Sequence, residues 1–102
     1  FYLNKKRTLA TRYEKFFTKK GIKFRTETND TRANYWLMCI ELENLKDRNL
    51  FIQSASASNI MTRPIWKSID SLAMYKSCQK DDLLNTKFLE DRIVNIPSGV
   101  IL

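Results

Sequence analysis

The sequence predicts an α+β fold: a two-layer small domain whose short, mostly antiparallel sheet is flanked by helices. Three observations carry this. Helix-spaced apolar residues near both ends of the chain enclose several short strand-like runs. The one strongly apolar run, Tyr35 to Ile40, has strand length and composition. A chain of 102 residues, 43% of them hydrophobic, has material for one core.

Leu9, Tyr13, Phe16 and Phe17 stand at i, i+4, i+7 and i+8, with Lys and Arg mostly on the other faces, which is the spacing of an amphipathic helix. Lys19 and Lys20 suit its C-terminus and Gly21 supplies the stop, so the helix ends near Lys20. Ile22 to Thr26 alternates as a strand with one buried face, and Glu27 to Asn34 is a polar loop. Tyr35 to Glu43 is apolar on both faces and then alternates, which predicts a central strand emerging toward solvent. A helix is expected from Asp47 to about Ser56, using Leu50, Phe51 and Ala55. Ile60 to Thr62 reads as a short strand, with Pro64 marking an edge or exit. Ile65 to Lys80 has no clean period and reads as an extended loop or a short helical turn around Ile69 to Tyr75. Asp81 or Asp82 is expected to cap a helix with the stripe Leu84, Phe88, Leu89 and Ile93. Val94 to Gly99 is then a brief strand and turn.

The net charge is +7, and it is concentrated: residues 1 to 25 carry +8, with Glu14 as their only acid. The aromatics of this segment fall at core spacing instead of forming a base-stacking platform, so the lysines read as a solvated or interface face, not as a nucleic-acid site. No apolar run approaches the roughly 20 residues that span a bilayer, and the start is no signal peptide. A cytoplasmic protein without a membrane partner is expected. Cys39 and Cys78 are far apart and the chain has no histidine, which argues against a disulfide framework, a zinc site and a catalytic thiol. The chain opens in Phe1-Tyr2-Leu3 without an initiator methionine, which reads as a cut from something longer, with the apolar residues preceding the first helix.

Ile60-Met61-Thr62-Arg63-Pro64-Ile65-Trp66, followed by Leu89-Glu90-Asp91-Arg92-Ile93-Val94-Asn95-Ile96-Pro97-Ser98-Gly99, resembles the C-terminal small domain of the DegT family of sugar-nucleotide aminotransferases. Asn34-Tyr35-Trp36-Leu37, Asp47-Arg48 and Met74-Tyr75 before Cys78-Gln79 are similar to the family in the same order. The resemblance covers almost the whole chain. It implies that residues 1–102 form one domain of a longer, homodimeric, pyridoxal-phosphate-dependent transaminase of fold type I. Such an enzyme passes an amino group from an amino acid, glutamate foremost, to a keto group on a nucleotide-linked sugar, for bacterial surface glycans such as lipopolysaccharide. The Schiff-base lysine would lie in an N-terminal large domain that is missing here, so the fragment is expected to carry no catalytic residue, hold no cofactor and be inactive alone. The sequence departs from the family's habit at Asn59, where glycine is usual, at Asp70, where histidine is frequent, and at Ala73, where proline is common.

Arg63, fixed between a strand and a φ-locked proline, is the first substrate-binding candidate, because a guanidinium takes a carboxylate or phosphate through two parallel bonds. Its bland alternative is an internal ion pair with Glu41, Asp91 or another acid. Trp66 is a candidate wall for a sugar or uracil ring, and otherwise a core residue. Tyr35, Asp70 and Tyr75 complete the set. Asp70 cannot donate a hydrogen bond at neutral pH and would repel a substrate diphosphate. Two other readings of the chain are a basic module for nucleic acid or protein, and a structural remnant of a truncated gene.

Overall fold

The computed structural model describes residues 1–100. The first helix, α1, runs Tyr2–Lys19, so the opening apolar residues belong to it instead of preceding it. Its core face is Ala10 and Phe17, with Leu9 and Tyr13 partly buried beside them. Phe16 departs from the expected stripe and stays 55% exposed, at the lip of a groove between α1 and α2 (Leu45–Ala57).

The end of α1 is a Schellman turn. Gly21 takes φ +71°, its N–H donates to Thr18 O at 3.1 Å, and Ile22 N–H donates to Phe17 O at 2.9 Å. The same motif closes α2: Asn59 takes φ +57°, with Asn59 N–H on Ser56 O at 3.0 Å and Ile60 N–H on Ala55 O at 2.8 Å. Asn59 therefore occupies the left-handed conformation that glycine supplies most easily and asparagine tolerates, which is a physical reason for a glycine preference at this position.

Four strands follow in the chain: β1 (Lys23–Phe24), β2 (Met38–Glu41), β3 (Arg63–Pro64) and β4 (Ile93–Ile96). They form one antiparallel sheet in the order β1-β2-β4-β3. The central strand expected over Tyr35 to Glu43 is present but shorter, as β2, with Met38 opposite Ile96 and Ile40 opposite Val94; Tyr35 to Leu37 precede it, with Tyr35 at φ +49° and Trp36 and Leu37 exposed. Met38, Ile40 and Val94 are fully buried, and with Phe24, Ile96, Ala10 and Phe17 they make the core between sheet and helices. Burying side chains of this size stabilises a fold by about 1.5–3 kcal/mol each.

Four expectations need correction. The third strand is not Ile60 to Thr62 but Arg63–Pro64, because the Schellman turn at the end of α2 consumes Ile60 before the chain extends. Pro64 is accommodated on this outermost strand, where a missing N–H leaves no interior ladder bond unmade. Ile93 is not on the last helix, α3 (Leu84–Glu90), but opens β4 opposite Glu41. In α2, Phe51 packs on the core as expected, but Leu50 is exposed and Ile52 takes its place. α2 also starts earlier than expected, because Asn44 caps it, accepting from Asp47 N–H at 2.9 Å.

Between β3 and α3 the chain makes two short 3₁₀ turns, Ile69–Ser71 and Ala73–Tyr75, where an extended loop or a short helical turn was expected. The expected cap is corrected too: Asp81 and Asp82 accept from Leu83 N–H at 2.8 Å and Leu84 N–H at 3.2 Å in local i→i+2 turns leading into α3, but neither is its N-cap, and among the described residues the helix has no side-chain cap bond. The residue directly before the helix is Leu83, at φ +52°.

Candidate functional site

The five candidates do not converge on one point. Asp70 and Tyr75 do come together, because the two 3₁₀ turns curl residues 67–80 back against the start of α3. They line an open concavity of about 430 Å³ with Lys67, Ser68, Cys78 and Lys80. Tyr35 lies elsewhere, lining a separate hollow of about 280 Å³ with Arg25, Glu27 and Trp36. Arg63 and Trp66 stand on the edge of the sheet and just beyond it, outside both hollows.

Among the described residues Arg63 does not form the internal ion pair that was its bland alternative. Glu41 is taken by Arg25 at 3.1 Å and Lys23 at 3.5 Å. Arg63 is exposed, and its one side-chain hydrogen bond among the described residues goes to Met61 Sδ at 3.5 Å, a poor acceptor. Trp66 is 76% exposed, which removes the core alternative for it.

Asp70 is balanced by its surroundings. Its carboxylate accepts a hydrogen bond from Ser68 Oγ and faces Lys80 Nζ at 3.7 Å. The Ser68 bond above all, and then the charge of Lys80, hold its carboxyl below the ordinary aspartate range. The repulsion expected between Asp70 and an anion is thereby softened by a neighbouring cation. Lys67, Ser68 and Lys80 were missed as site residues; the only signal in sequence was a lysine ten positions after Asp70, with no period to connect them.

Tyr35 is tied into a polar clamp. Arg7 donates to both carboxylate oxygens of Glu27, at 2.6 and 3.0 Å, and to Ala33 O at 2.7 Å, while Ala33 N–H donates to Glu27 Oε2 at 2.7 Å. The Arg7 guanidinium lies over the Tyr35 ring at 5.7 Å, and the Tyr35 hydroxyl accepts from Glu27 N–H at 3.4 Å. The Arg7 hydrogen bonds, then the one from Ala33, hold the Glu27 carboxyl down at about 2. This clamp fixes the long β1–β2 connection against α1.

No family model matches the sequence, and no curated protein matches it significantly. Solved structures do match. The sugar aminotransferase CalS13 from Micromonospora echinospora superposes over 98% of this chain with a TM-score of 0.82 and 23% identity. The chain has the fold of part of a sugar aminotransferase. The aminotransferase TlmJ from Streptoalloteichus hindustanus matches 94% of the chain with a TM-score of 0.81 at 11% identity. Spr1654 from Streptococcus pneumoniae, assigned as a sugar aminotransferase and solved in a PLP form, matches 98% with a TM-score of 0.78 at 23% identity. At these identities the likeness is one of fold, and it agrees with the resemblance drawn from motif order. The chain spans only 26–27% of the length of these three relatives.

Spr1654 has also been solved in a PMP form, so the aminotransferase fold raises the question of a pyridoxal phosphate seat. The residues of this chain do not fit one. A Schiff-base lysine needs a shielded amine, and among the described residues no lysine is buried, nor is any other polar or charged residue. The two glycines, Gly21 and Gly99, stand far apart in the chain and form no phosphate loop. No step of cofactor chemistry is assigned to these residues. Among the described residues there is also no cluster of three or more metal-ligating side chains, and no helix long and apolar enough to cross a membrane.

Proposed function

We propose that this chain is the C-terminal small domain of a cytoplasmic, pyridoxal-phosphate-dependent aminotransferase that aminates a keto sugar nucleotide, with glutamate as donor. The observation that carries the reading is the superposition on CalS13 over 98% of this chain and only 26% of that one. On this reading the cofactor lysine belongs to a large domain and a homodimer partner outside this chain. The role of the small domain is to close over the substrate, with Arg63, Trp66, Asp70, Tyr75 and Tyr35 as its substrate-side residues. Arg63 leads because its guanidinium is exposed and bonds to no oxygen acceptor among the described residues.

The isolated chain is inactive on this reading. Incubation with pyridoxal phosphate followed by borohydride leaves no single lysine stoichiometrically modified, as read by peptide mass mapping. Saturable modification of one lysine in the native chain contradicts the reading. The reading frame upstream of Phe1 gives the positive test: it encodes the Schiff-base lysine, and the longer protein transfers nitrogen from glutamate to a keto sugar nucleotide.

A second reading, a basic interaction module, has one observation in its favour. Lys5, Arg12, Lys15 and Lys19 share the solvent side of α1, are all exposed, and form no ion pair among the described residues. Binding of duplex DNA with a steep salt dependence at near-physiological ionic strength would promote that reading over the first.

A further inference from the structure

One row of residues crosses all four strands. Arg63 stands opposite Asn95, and Asn95 opposite Cys39. Arg25 extends the row past the end of β1, its N–H donating to Cys39 O at 3.0 Å. Side chains alternate along a strand, and Met38, Ile40, Val94 and Ile96 face α1 and α2 as the core. The row from Arg25 to Arg63 therefore lies on the opposite face of the sheet.

The two ends of this row differ. At the β1 end, Arg25 is committed to Glu41 at 3.1 Å. Burial pushes the neighbouring Cys39 thiol up, so it adds no negative charge at neutral pH. At the β3 end the polar groups are unused. Arg63 has only the thioether of Met61, whereas Arg7, Arg48 and Arg92 each donate to a carbonyl oxygen. Asn95 is half-buried and its carboxamide has no hydrogen-bond partner among the described residues. The carboxamides of Asn34, Asn44 and Asn49 are by contrast engaged by Trp36 N–H, Asp47 N–H and Arg48. Directly opposed residues of an antiparallel pair have their Cβ atoms about 5 Å apart, so one small anion can touch both side chains.

We propose that Asn95 is a second recognition residue, which acts with Arg63 across the β3–β4 ladder to hold an anionic group, a carboxylate or a phosphate, of the ligand. The inference rests on the reading of Arg63 as a substrate-side residue. The guanidinium fork takes two oxygens of the anion, and the carboxamide N–H₂ donates to a further lone pair. Two sources of such a group are the carboxylate of the amino donor and the diphosphate of a nucleotide-linked sugar.

The test is a titration of the ¹⁵N-labelled chain, followed at the Arg63 guanidinium and the Asn95 carboxamide. Glutamate is the probe in one arm and uridine diphosphate in the other. In one arm both side chains shift with a common Kd, which names the source, and Asn95→Asp raises that Kd by about tenfold or more through like-charge repulsion. Asn95→Ser raises it by less and keeps the circular dichroism of the native chain; it is read alone if Asn95→Asp fails to fold. If Arg63 shifts alone and neither variant changes the Kd, the role of Asn95 is overturned and the reading of Arg63 stands. If neither probe moves Arg63, the reading of Arg63 falls and the proposal falls with it.

Discussion

Gly21→Ala and Asn59→Gly act in opposite directions on two copies of the same turn. Gly21 sits at φ +71°, and a Cβ built there meets no heavy atom within 4 Å. Steric clash with neighbours therefore plays no part, and the penalty is the backbone preference alone. A left-handed conformation costs an L-residue about 1–2 kcal/mol. Alanine returns about 0.4–1 kcal/mol by restricting the unfolded chain. The net destabilisation is about 1 kcal/mol, a fall in Tm of about 4–8 °C for a domain of this size. Asn59 already tolerates φ +57°, so replacing it by glycine gains at most about 0.5 kcal/mol. Asn59→Ala, lacking that tolerance, loses stability as Gly21→Ala does. Urea unfolding followed by far-UV circular dichroism reads these differences as midpoints at constant m-value. A Gly21→Ala midpoint equal to or above that of the parent would refute the assigned ends of α1 and the argument about residue 59.

Three further outcomes follow from named contacts. Asn44→Ala removes the side-chain cap of α2 and lowers stability by about 1 kcal/mol, read as a urea midpoint; an unchanged midpoint contradicts the cap. Glu27 is held at about 2, below its ordinary 4.5, so its pairing with Arg7 stabilises the fold fully above pH about 4.5 and progressively less as pH falls toward about 2. Glu27→Gln flattens that limb of the midpoint-against-pH curve, and an identical acid limb in both proteins counts against the clamp. Cys78 is exposed, whereas Cys39 is half-buried with its thiol pushed up by burial. Iodoacetamide should label Cys78 quickly and Cys39 only on unfolding, and two equally fast thiols would show that β2 is not sealed.

What was legible in the sequence was whatever local physics dictates. The apolar run at 35–40 announced a central strand, and its second half, from Met38, opens that strand, while Tyr35 to Leu37 lie before it with Trp36 and Leu37 exposed. Gly21 announced the end of α1 because its conformation needs no tertiary partner. Less legible were the features that depend on the rest of the chain. Ile93 continues a helical stripe in sequence, yet pairing with Glu41 draws it into β4. Ile60 has a strand former's side chain, but the turn that ends α2 captures its N–H. The candidate site divides in the same way. Arg63 is a candidate from sequence because arginine after a strand and before a proline is a local signal. The balance of Asp70 by Ser68 and Lys80, and the alignment of Arg63 with Asn95, come from the curl of residues 67–80 and the β3–β4 register, which no spacing in sequence encodes.

The central claim is that these residues complete an aminotransferase whose cofactor lies elsewhere. It is tested most directly by assaying the polypeptide encoded upstream of Phe1 for glutamate-dependent amination of a keto sugar nucleotide, with and without this chain joined to it. The account predicts turnover only when residues 1–102 are present. Full turnover without them, or none with them, would contradict it.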